Sequence, residues 1–146
     1  MEETCILVKP DGVCRNLTGP ILARFAAAGL KLRALKMLRL SVSQAEEFYK
    51  EHKGKPFYEP LIKFMTAAPI VASVWQGEGA VAKARAVMGA TNSAEASPGT
   101  IRREFGTNNR YNVVHGSDAP GSAEREIRFF FKPEELYAFQ ENDWKD

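Results

Sequence analysis

The sequence predicts an α+β fold, in which helices cover a four-stranded antiparallel sheet. Short β-type runs alternate with longer segments of helical periodicity, and Gly and Pro residues punctuate the boundaries. No repeat or change of composition divides the 146 residues, so a single domain over 1–146 is expected. With 45% hydrophobic and 26% charged residues, a chain of this length can bury a sizeable core.

The first strand and helix have clear limits in the sequence. Residues 4–9 (TCILVK) form a short β-type run, and the turn signature Pro-Asp-Gly over 10–12 ends it. Thr18 is expected to cap the next helix, with Pro20 in its first turn and Gly29 as its stop. Both elements place apolar residues on one side, as a shared core requires.

The later elements complete the pattern β-α-β-α-α-β-α-β-α. They are a strand over 31–40, a helix opening at Ser43, a second helix carrying Phe57 and Leu61, a buried strand over 69–75, a helix over 79–88, a strand over 112–115 and a helix over 122–131. This order fits a ferredoxin-like sheet of the split βαβ type. Residues 89–111 form a long loop of the kind that is usually functional. The apolar tail 132–146 is expected to pack, with a subunit contact as one place for it.

Composition and charge exclude several classes of protein. A net charge of +2 and a pI near 8.6 are only mildly basic, so no nucleic-acid partner is implied. No run approaches the ~18 apolar residues that a membrane helix needs, and the acidic start lacks the features of a signal peptide. Cys5 and Cys14 suggest no disulfide framework, so reduced thiols in a cytoplasmic protein are expected.

Two familiar site motifs can be set aside. Residues 77–82 (GEGAVA) match the dinucleotide fingerprint between a strand and a helix, but the acidic residue expected about 20 positions later is missing. A strand-to-helix turn explains the motif. No P-loop motif occurs, and His52 and His115 have no partner at metal-ligand spacing, so a zinc site is improbable.

The residue pattern alone indicates a phosphate-handling site around one reactive histidine. His115 ends a strand beside small residues, and its neutral imidazole can act as a base or nucleophile. Glu126 could fix its tautomer, whereas Ser117 and Asp118 are too close in sequence to be assumed triad partners. Lys9, at the end of the first strand, could reach the same pocket.

The arginines and aromatics keep two interpretations at this point. Arg85, Arg102, Arg103 and Arg110, with Thr91, suit phosphate oxygens because a guanidinium donates two parallel hydrogen bonds. On spacing alone, loop arginines are more often solvated or paired with glutamates such as Glu95 and Glu104. Phe57, Leu61 and Tyr49 could clamp a flat ligand, but an aromatic stripe at helical spacing is more often core.

Four segments together resemble the nucleoside diphosphate kinase family. They are VKPDGV (8–13), EHKGKPFY (51–58), MGATNSAEASPGTIR (88–102) and NVVHGSDAPGSAEREI (112–127). The resemblance implies γ-phosphate transfer from a nucleoside triphosphate to a diphosphate, by a ping-pong route through a phosphohistidine. It also implies broad base specificity, with Mg²⁺ bound mainly through the nucleotide phosphates and no direct protein ligand. The assembly expected is a homohexamer, with a tetramer as the alternative.

The resemblance also implies a role for each site residue. His115 would be the nucleophile, Glu126 would hold its other ring nitrogen, and Ser117 would flank the site. The remaining residues divide into three groups: Lys9, Tyr49 and Asn112 near the sugar hydroxyls and transferred phosphate, Arg85, Thr91 and Arg102 as phosphate ligands, and Phe57 with Leu61 as the base clamp. His52 is outside the nucleophile position and is expected to be a surface residue.

The chain departs from the family pattern at three places. Ser93 replaces a usual proline, which is expected to loosen the loop because a fixed φ is lost. Arg103 and Glu104 replace Gly-Asp and are expected to add charge near the phosphates, and Arg110-Tyr111 replaces Gly-Arg before Asn112. One alternative is a nucleic-acid or protein interaction module, against which the aliphatic strands argue. The other is a histidine phosphatase or a phosphoryl-transfer protein that binds no nucleotide, and the base clamp would be idle in either case.

Overall fold

A computed structural model describes residues 1–146. Its elements, in chain order, are β1 (Glu2–Val8), α1 (Pro10–Cys14), α2 (Thr18–Ala27), β2 (Lys31–Leu38), α3 (Val42–Phe48), α4 (Tyr58–Thr66), β3 (Ile70–Gly77), α5 (Ala80–Met88), α6 (Ile101–Phe105), β4 (Val114–Gly116) and α7 (Pro120–Phe130). Short 3₁₀ turns occupy Lys50–His52, Ser93–Glu95 and Pro133–Glu135. No helix is long and apolar enough to cross a membrane.

The strands form one sheet in the order β2-β3-β1-β4, with every neighbouring pair antiparallel. The predicted fold class is therefore confirmed. β1 lies in the interior of the sheet and pairs with β3 along its whole length and with β4 at its end, where Leu7 faces His115. This register places β4, and with it His115, beside the end of β1 and the start of α1.

Two apolar cores lie on opposite faces of the sheet. Alternation along β1 sends Cys5 and Leu7 to the core beneath α3, α4 and α7, and sends Ile6 and Val8 to the core beneath α2 and α5. Because β1 is buried on both sides, it reads as a continuous apolar run rather than an alternating one.

Helix starts differ from the sequence prediction at three places. The Pro-Asp-Gly segment begins α1 rather than a simple turn, with Pro10 at a position where its missing N–H costs nothing. Leu17 occupies the N-cap position of α2 without a side-chain hydrogen bond, and Thr18 is the first helical residue, so the predicted cap at Thr18 is wrong. Ser41 caps α3 in a reciprocal capping box with Gln44, two residues before the predicted start at Ser43.

The last strand is shorter and later than predicted. Asn112 and Val113 lie outside β4 because Val113 has a φ of 61°, in the left-handed region. The fully buried Val113 is held there by two residues that lie just after β1. Its N–H donates to Asp11 Oδ2 (3.2 Å), and its carbonyl accepts from the Lys9 N–H (2.8 Å). The kink turns the chain directly before His115.

The C-terminal tail runs along the free edge of the sheet. The Tyr137 N–H donates to the Arg33 carbonyl (3.0 Å), and the Lys31 ammonium donates to the Phe139 carbonyl (3.0 Å). The rings of Tyr137, Phe139 and Trp144 nevertheless stay exposed. The tail packs within this chain only through its first half.

Candidate active site

One cavity of about 690 Å³ collects most of the residues that the sequence singled out. It lies between the α3–α4 segment, α5, the long loop and the ends of β4 and α7. The predicted residues that line it are Lys9, Tyr49, Phe57, Leu61, Arg85, Thr91, Arg102, Asn112, His115 and Glu126. Ser117 is the one predicted site residue that does not line it.

His115 has one ring nitrogen held and one without a protein partner. Its Nε2 lies 2.9 Å from Glu126 Oε1, and the Glu126 side chain is only 6% exposed. A buried carboxylate accepts the Nε2 proton, so the tautomer carries its lone pair on Nδ1. The Phe48 ring packs edge-on against the imidazole at 5.5 Å. The ring is therefore fixed in orientation, with Nδ1 available for chemistry.

Ser117 acts behind this pair rather than in the cavity. Its buried hydroxyl donates to the same Glu126 Oε1 (2.9 Å) and accepts from the Cys5 N–H (3.2 Å). The serine thus joins the carboxylate to the backbone of β1. This contact indicates a positioning residue, one step removed from the imidazole.

Lys9 and Asn112 form a buried pair on the other side of the histidine. Lys9 Nζ donates to Asn112 Oδ1 (2.9 Å), and the Asn112 amide donates to the carbonyls of Thr91 (3.0 Å) and Asn109 (3.1 Å). Burial, and then the positive Arg102, lower the pKa of Lys9 to about 7, although Asp11 opposes the shift. The ammonium has no carboxylate contact within ion-pairing distance, so a bound anion would favour its charged form.

Tyr49 places a hydroxyl in the cavity wall that has no partner in the protein. The ring is buried against Phe48 in edge-to-face contact at 4.9 Å, and its Oη is a buried atom without a hydrogen bond. Burial, and then the nearby Glu126, raise its pKa well above the usual value. The hydroxyl therefore stays protonated and can donate to a ligand.

The two predicted phosphate arginines differ in how they are held. Arg102 is buried, and its guanidinium donates to the Gly89 (3.1 Å) and Val114 (2.7 Å) carbonyls. Burial and the nearby Arg85 lower the pKa of Arg102 to about 10. Arg85 is exposed and its guanidinium has no protein partner. Arg102 thus ties both ends of the long loop together, while Arg85 is free to contact an anion.

The open end of the cavity has an aromatic wall. The Phe57 side chain, 44% exposed, and the half-buried Leu61 face the space, and the His52 ring packs against Phe57 at 5.2 Å and along Tyr49 at 6.2 Å. The expectation that His52 is a surface residue is wrong, because it is half-buried and lines the cavity. Asn109 and Arg110 form part of the lining contributed by the loop. Sequence reasoning did not single out Asn109.

Comparison with known proteins identifies the family of this chain. The family model described as nucleoside diphosphate kinase matches residues 2–136. The chain belongs to the nucleoside diphosphate kinase family. It is 54% identical to the enzyme of Carboxydothermus hydrogenoformans over 140 residues, which cover 96% of this chain and 94% of that one. It is 51% identical to the enzyme of Bacillus licheniformis, with 99% of each chain covered.

Solved structures of nucleoside diphosphate kinases share the fold closely. The halophilic enzyme of Halobacterium salinarum, determined in complex with CDP, superposes with a TM-score of 0.94 at 43% identity and covers 97% of this chain and 94% of its own. The Aquifex aeolicus enzyme gives a TM-score of 0.91 at 42% identity, covering 93% of this chain and 99% of its own. Membership of the family makes this chain a phosphotransferase that acts on nucleotides.

One of the three departures from the family pattern, Arg103-Glu104, lies outside the cavity. The Arg103 guanidinium donates to the carbonyls of Ala94 (3.2 Å) and Ala96 (3.3 Å), and Glu104 pairs with Arg24 of α2. Neither side chain lines the cavity, so the expected added charge near the phosphates is absent. The remaining departures, at positions 93, 110 and 111, occur in the long loop.

Ser93 braces the loop from inside. Its side chain is buried, and its hydroxyl donates to the Asn108 carbonyl (3.4 Å). The backbone of Gly106 passes so close that a Cβ there would lie 2.0 Å from Ser93 Oγ. The loop thus has its own hydrogen bond and close packing at the position where the usual proline is absent, which argues against the expected loosening.

Proposed function

We propose that His115 is the nucleophile by which this chain transfers the γ-phosphate of a nucleoside triphosphate to a nucleoside diphosphate. The observation that carries the proposal is the His115–Glu126 pair, in which Nε2 is held at 2.9 Å and Nδ1 has no protein partner. Family membership supports the reaction, and the cationic cavity supports an anionic substrate.

The reaction divides into two balanced halves. The Nδ1 lone pair attacks the γ-phosphorus, a P–N bond forms, and the bond from the γ-phosphorus to the β–γ bridging oxygen breaks. The diphosphate leaves with that electron pair on its terminal oxygen. Glu126 offsets the positive charge that develops on the imidazole, and Ser117 keeps the carboxylate in place. A second diphosphate then attacks the phosphohistidine through its β-phosphate oxygen and restores His115.

Positive and neutral donors would share the phosphate charge. Arg85, Thr91 and Arg102 would contact phosphate oxygens, and Lys9, Tyr49 and Asn112 would contact the sugar hydroxyls and the phosphoryl group in flight. Tyr49 suits this role because its hydroxyl is protonated and without a partner. Phe57 and Leu61 would stack on the base, and because every base has a π-face, this contact admits all common bases.

Mg²⁺ would enter the site with the nucleotide. No group of three or more His, Cys, Asp and Glu side chains could hold a metal ion by itself. The donor set fits an ion carried by phosphate oxygens, and the exposed Asp118, whose Oδ1 accepts from Ser122, is a cavity carboxylate available to its water shell. When bound, the ion offsets negative charge on the phosphates.

The assembly proposed is a homohexamer, with a tetramer as the alternative. The edge strand β2 exposes Leu35 (51%) and Met37 (62%), and the exposed tail rings of Tyr137 and Phe139 lie beside it. An apolar sheet edge needs a cover, which a second copy supplies. Light scattering of dilute protein measures this, and a monomer or simple dimer contradicts it. A cytoplasmic location is proposed from the free thiols of Cys5 and Cys14.

The decisive test is phosphoenzyme formation. Protein incubated with γ-labelled ATP and Mg²⁺, without acceptor, should gain acid-labile and base-stable label that GDP then removes. His115→Asn should gain none, while His52→Asn, which changes the other histidine of the same cavity, should label normally. Label that survives in His115→Asn, or no label on the unmodified protein, would contradict the proposal.

A further inference from the structure

The arginines of the chain differ sharply in whether their guanidinium groups are satisfied. Most have a carbonyl or carboxylate within hydrogen-bonding or ion-pairing distance. These are Arg15, Arg24, Arg33, Arg39, Arg102, Arg103, Arg125 and Arg128. The two without any such partner, Arg85 and Arg110, both line the cavity. Arg85 already has a role as a phosphate ligand, and Arg110 has none.

The turn that carries Arg110 is held firmly. The Thr107 N–H donates to the Tyr111 carbonyl (2.7 Å), and Asn108 Oδ1 accepts from the backbone N–H groups of Arg110 (2.9 Å) and Tyr111 (2.8 Å). The Tyr111 ring packs edge-on against Phe64 of α4, with 5.0 Å between centroids. The backbone beside Arg110 is therefore fixed against α4.

This anchoring places Arg110 at the base end of the cavity. Phe64 lies one helical turn after Leu61, so the Tyr111 contact brings position 110 close to the Phe57–Leu61 wall. The cations Lys9 and Arg102 belong to the opposite end, where Lys9 binds Asn112 and Arg102 binds the carbonyl that precedes His115. The half-buried Arg110 guanidinium is held only against the Tyr111 ring, at 5.8 Å.

We propose that Arg110 reads the edge of the nucleotide base and makes this enzyme prefer guanine nucleotides. The proposal rests on the function proposed above and narrows its substrate class. Guanine presents two adjacent acceptors, O6 and N7, that match a guanidinium fork, whereas adenine and cytosine present an amino donor at the corresponding place. Stacking on Phe57 still admits every base, so the specificity is broad but graded.

The test measures discharge of the phosphoenzyme by different acceptors. Labelled phosphoenzyme is mixed with GDP, IDP, ADP or CDP, and the second-order rate constant is taken for each. IDP keeps O6 and N7 but lacks the 2-amino group, so it isolates the edge that Arg110 would contact. GDP and IDP should react about tenfold faster than ADP and CDP, the discrimination typical of one good bidentate contact.

Three variants separate edge reading from simple charge. Arg110→Ala should lower the GDP and IDP constants to the ADP level and leave ADP unchanged. Arg110→Lys keeps the charge but loses the planar fork, so most of the preference should disappear. Arg128→Ala removes one exposed positive charge outside the cavity and should change nothing.

Two results would overturn the proposal: equal rate constants for all acceptors with the unmodified protein, or an equal loss for every acceptor in Arg110→Ala. The second would make Arg110 a phosphate ligand. Failure to form phosphoenzyme would instead refute the proposed function. In that case equilibrium dialysis compares the dissociation constants of GDP and ADP for the unmodified protein and for Arg110→Ala. It tests the guanine preference without phosphate transfer.

Discussion

The buried lysine of the site should make the stability of the protein rise with pH. Lys9 is 7% exposed, and burial and Arg102 lower its pKa from 10.5 to about 7. The unfolded chain keeps the ordinary value, so between pH 7 and 10.5 the unfolded state binds more protons than the folded state. The contribution of Lys9 to stability therefore rises with pH across that window, because folding then no longer buries a charge.

The size of the effect follows from the two pKa values. Below pH 7 both states are protonated and the penalty for the buried charge is constant. Between pH 7 and 9, the linkage relation gives a gain of about 2 kcal/mol in the free energy of unfolding from Lys9 alone. Burial of this degree leaves little solvent screening to reduce the value.

Urea unfolding at pH 7, 8 and 9, at one fixed protomer concentration, measures this gain. The matched variant is Lys9→Met, which keeps the length of the side chain and removes the titrating group. Burial raises the pKa of the Cys5 thiol, which opposes the Lys9 effect at high pH, but the variant keeps Cys5, so this contribution cancels in the comparison. The variant should gain about 2 kcal/mol less than the unmodified protein over this range. Parallel pH profiles would refute the reasoning and mean that Lys9 folds with its ordinary pKa.

Three further predictions concern the support of the site. Ser117→Ala removes the hydroxyl between Glu126 and β1 and should lower the free energy of unfolding by about 2 kcal/mol in urea titration; an unchanged midpoint would contradict its positioning role. Phe57→Ala should lower kcat/KM about tenfold, and the loss should be equal for GDP and ADP; a loss that depends on the base would contradict simple stacking. Gly89→Ala should destabilise the fold more than Gly99→Ala, by about 2 kcal/mol in thermal unfolding. Both glycines have positive φ, but only at Gly89 would a Cβ meet Thr100, at 2.5 Å; equal losses would contradict the steric argument.

The sequence was sufficient for the order of the strands and the longer helices because hydrophobic periodicity is local. It missed the five-residue helices α1 and α6, and α6 lies within the segment 89–111 that was predicted as a loop. The strand over 69–75 and the helix over 79–88 were found within about two residues at each end, as β3 and α5. The start of β4 could not be read in the same way. A valine in the left-handed region has no local signal, and its conformation is imposed by bonds from residues that lie about a hundred positions earlier in the chain.

The sequence could name candidate site residues that belong to a motif. It could not predict side-chain positions that depend only on packing in the folded chain. Lys9 and His115 could be named from their places at strand ends and from the family resemblance. The position of Ser117 behind Glu126, rather than beside the ligand, depends on which way its side chain turns from the end of β4. His52 was predicted to be a surface residue because composition gives no sign of the 3₁₀ turn over Lys50–His52. That turn brings the His52 ring against Tyr49.

Position 110 shows a different limit of sequence reasoning. The departure from the family pattern was visible, but its consequence depends on which arginines already have partners. Arg103, which looked equally suited to phosphate, is tied to the carbonyls of Ala94 and Ala96. Arg103 and Arg110 thus differ in their hydrogen bonds and in their place relative to the cavity, and both depend on the folded backbone rather than on the local sequence.

The interior position of β1 in the sheet means that this strand must wait during synthesis for its partners to be made. β1 is the first strand made, yet its bond partner Ser117 follows Cys5 by 112 residues. At about 5–20 residues per second, the ribosome needs roughly ten seconds to supply that partner. Throughout this interval one side of an apolar strand remains unpaired, and His115 has not yet been made. The cavity around His115 therefore forms only after most of the chain has been synthesised.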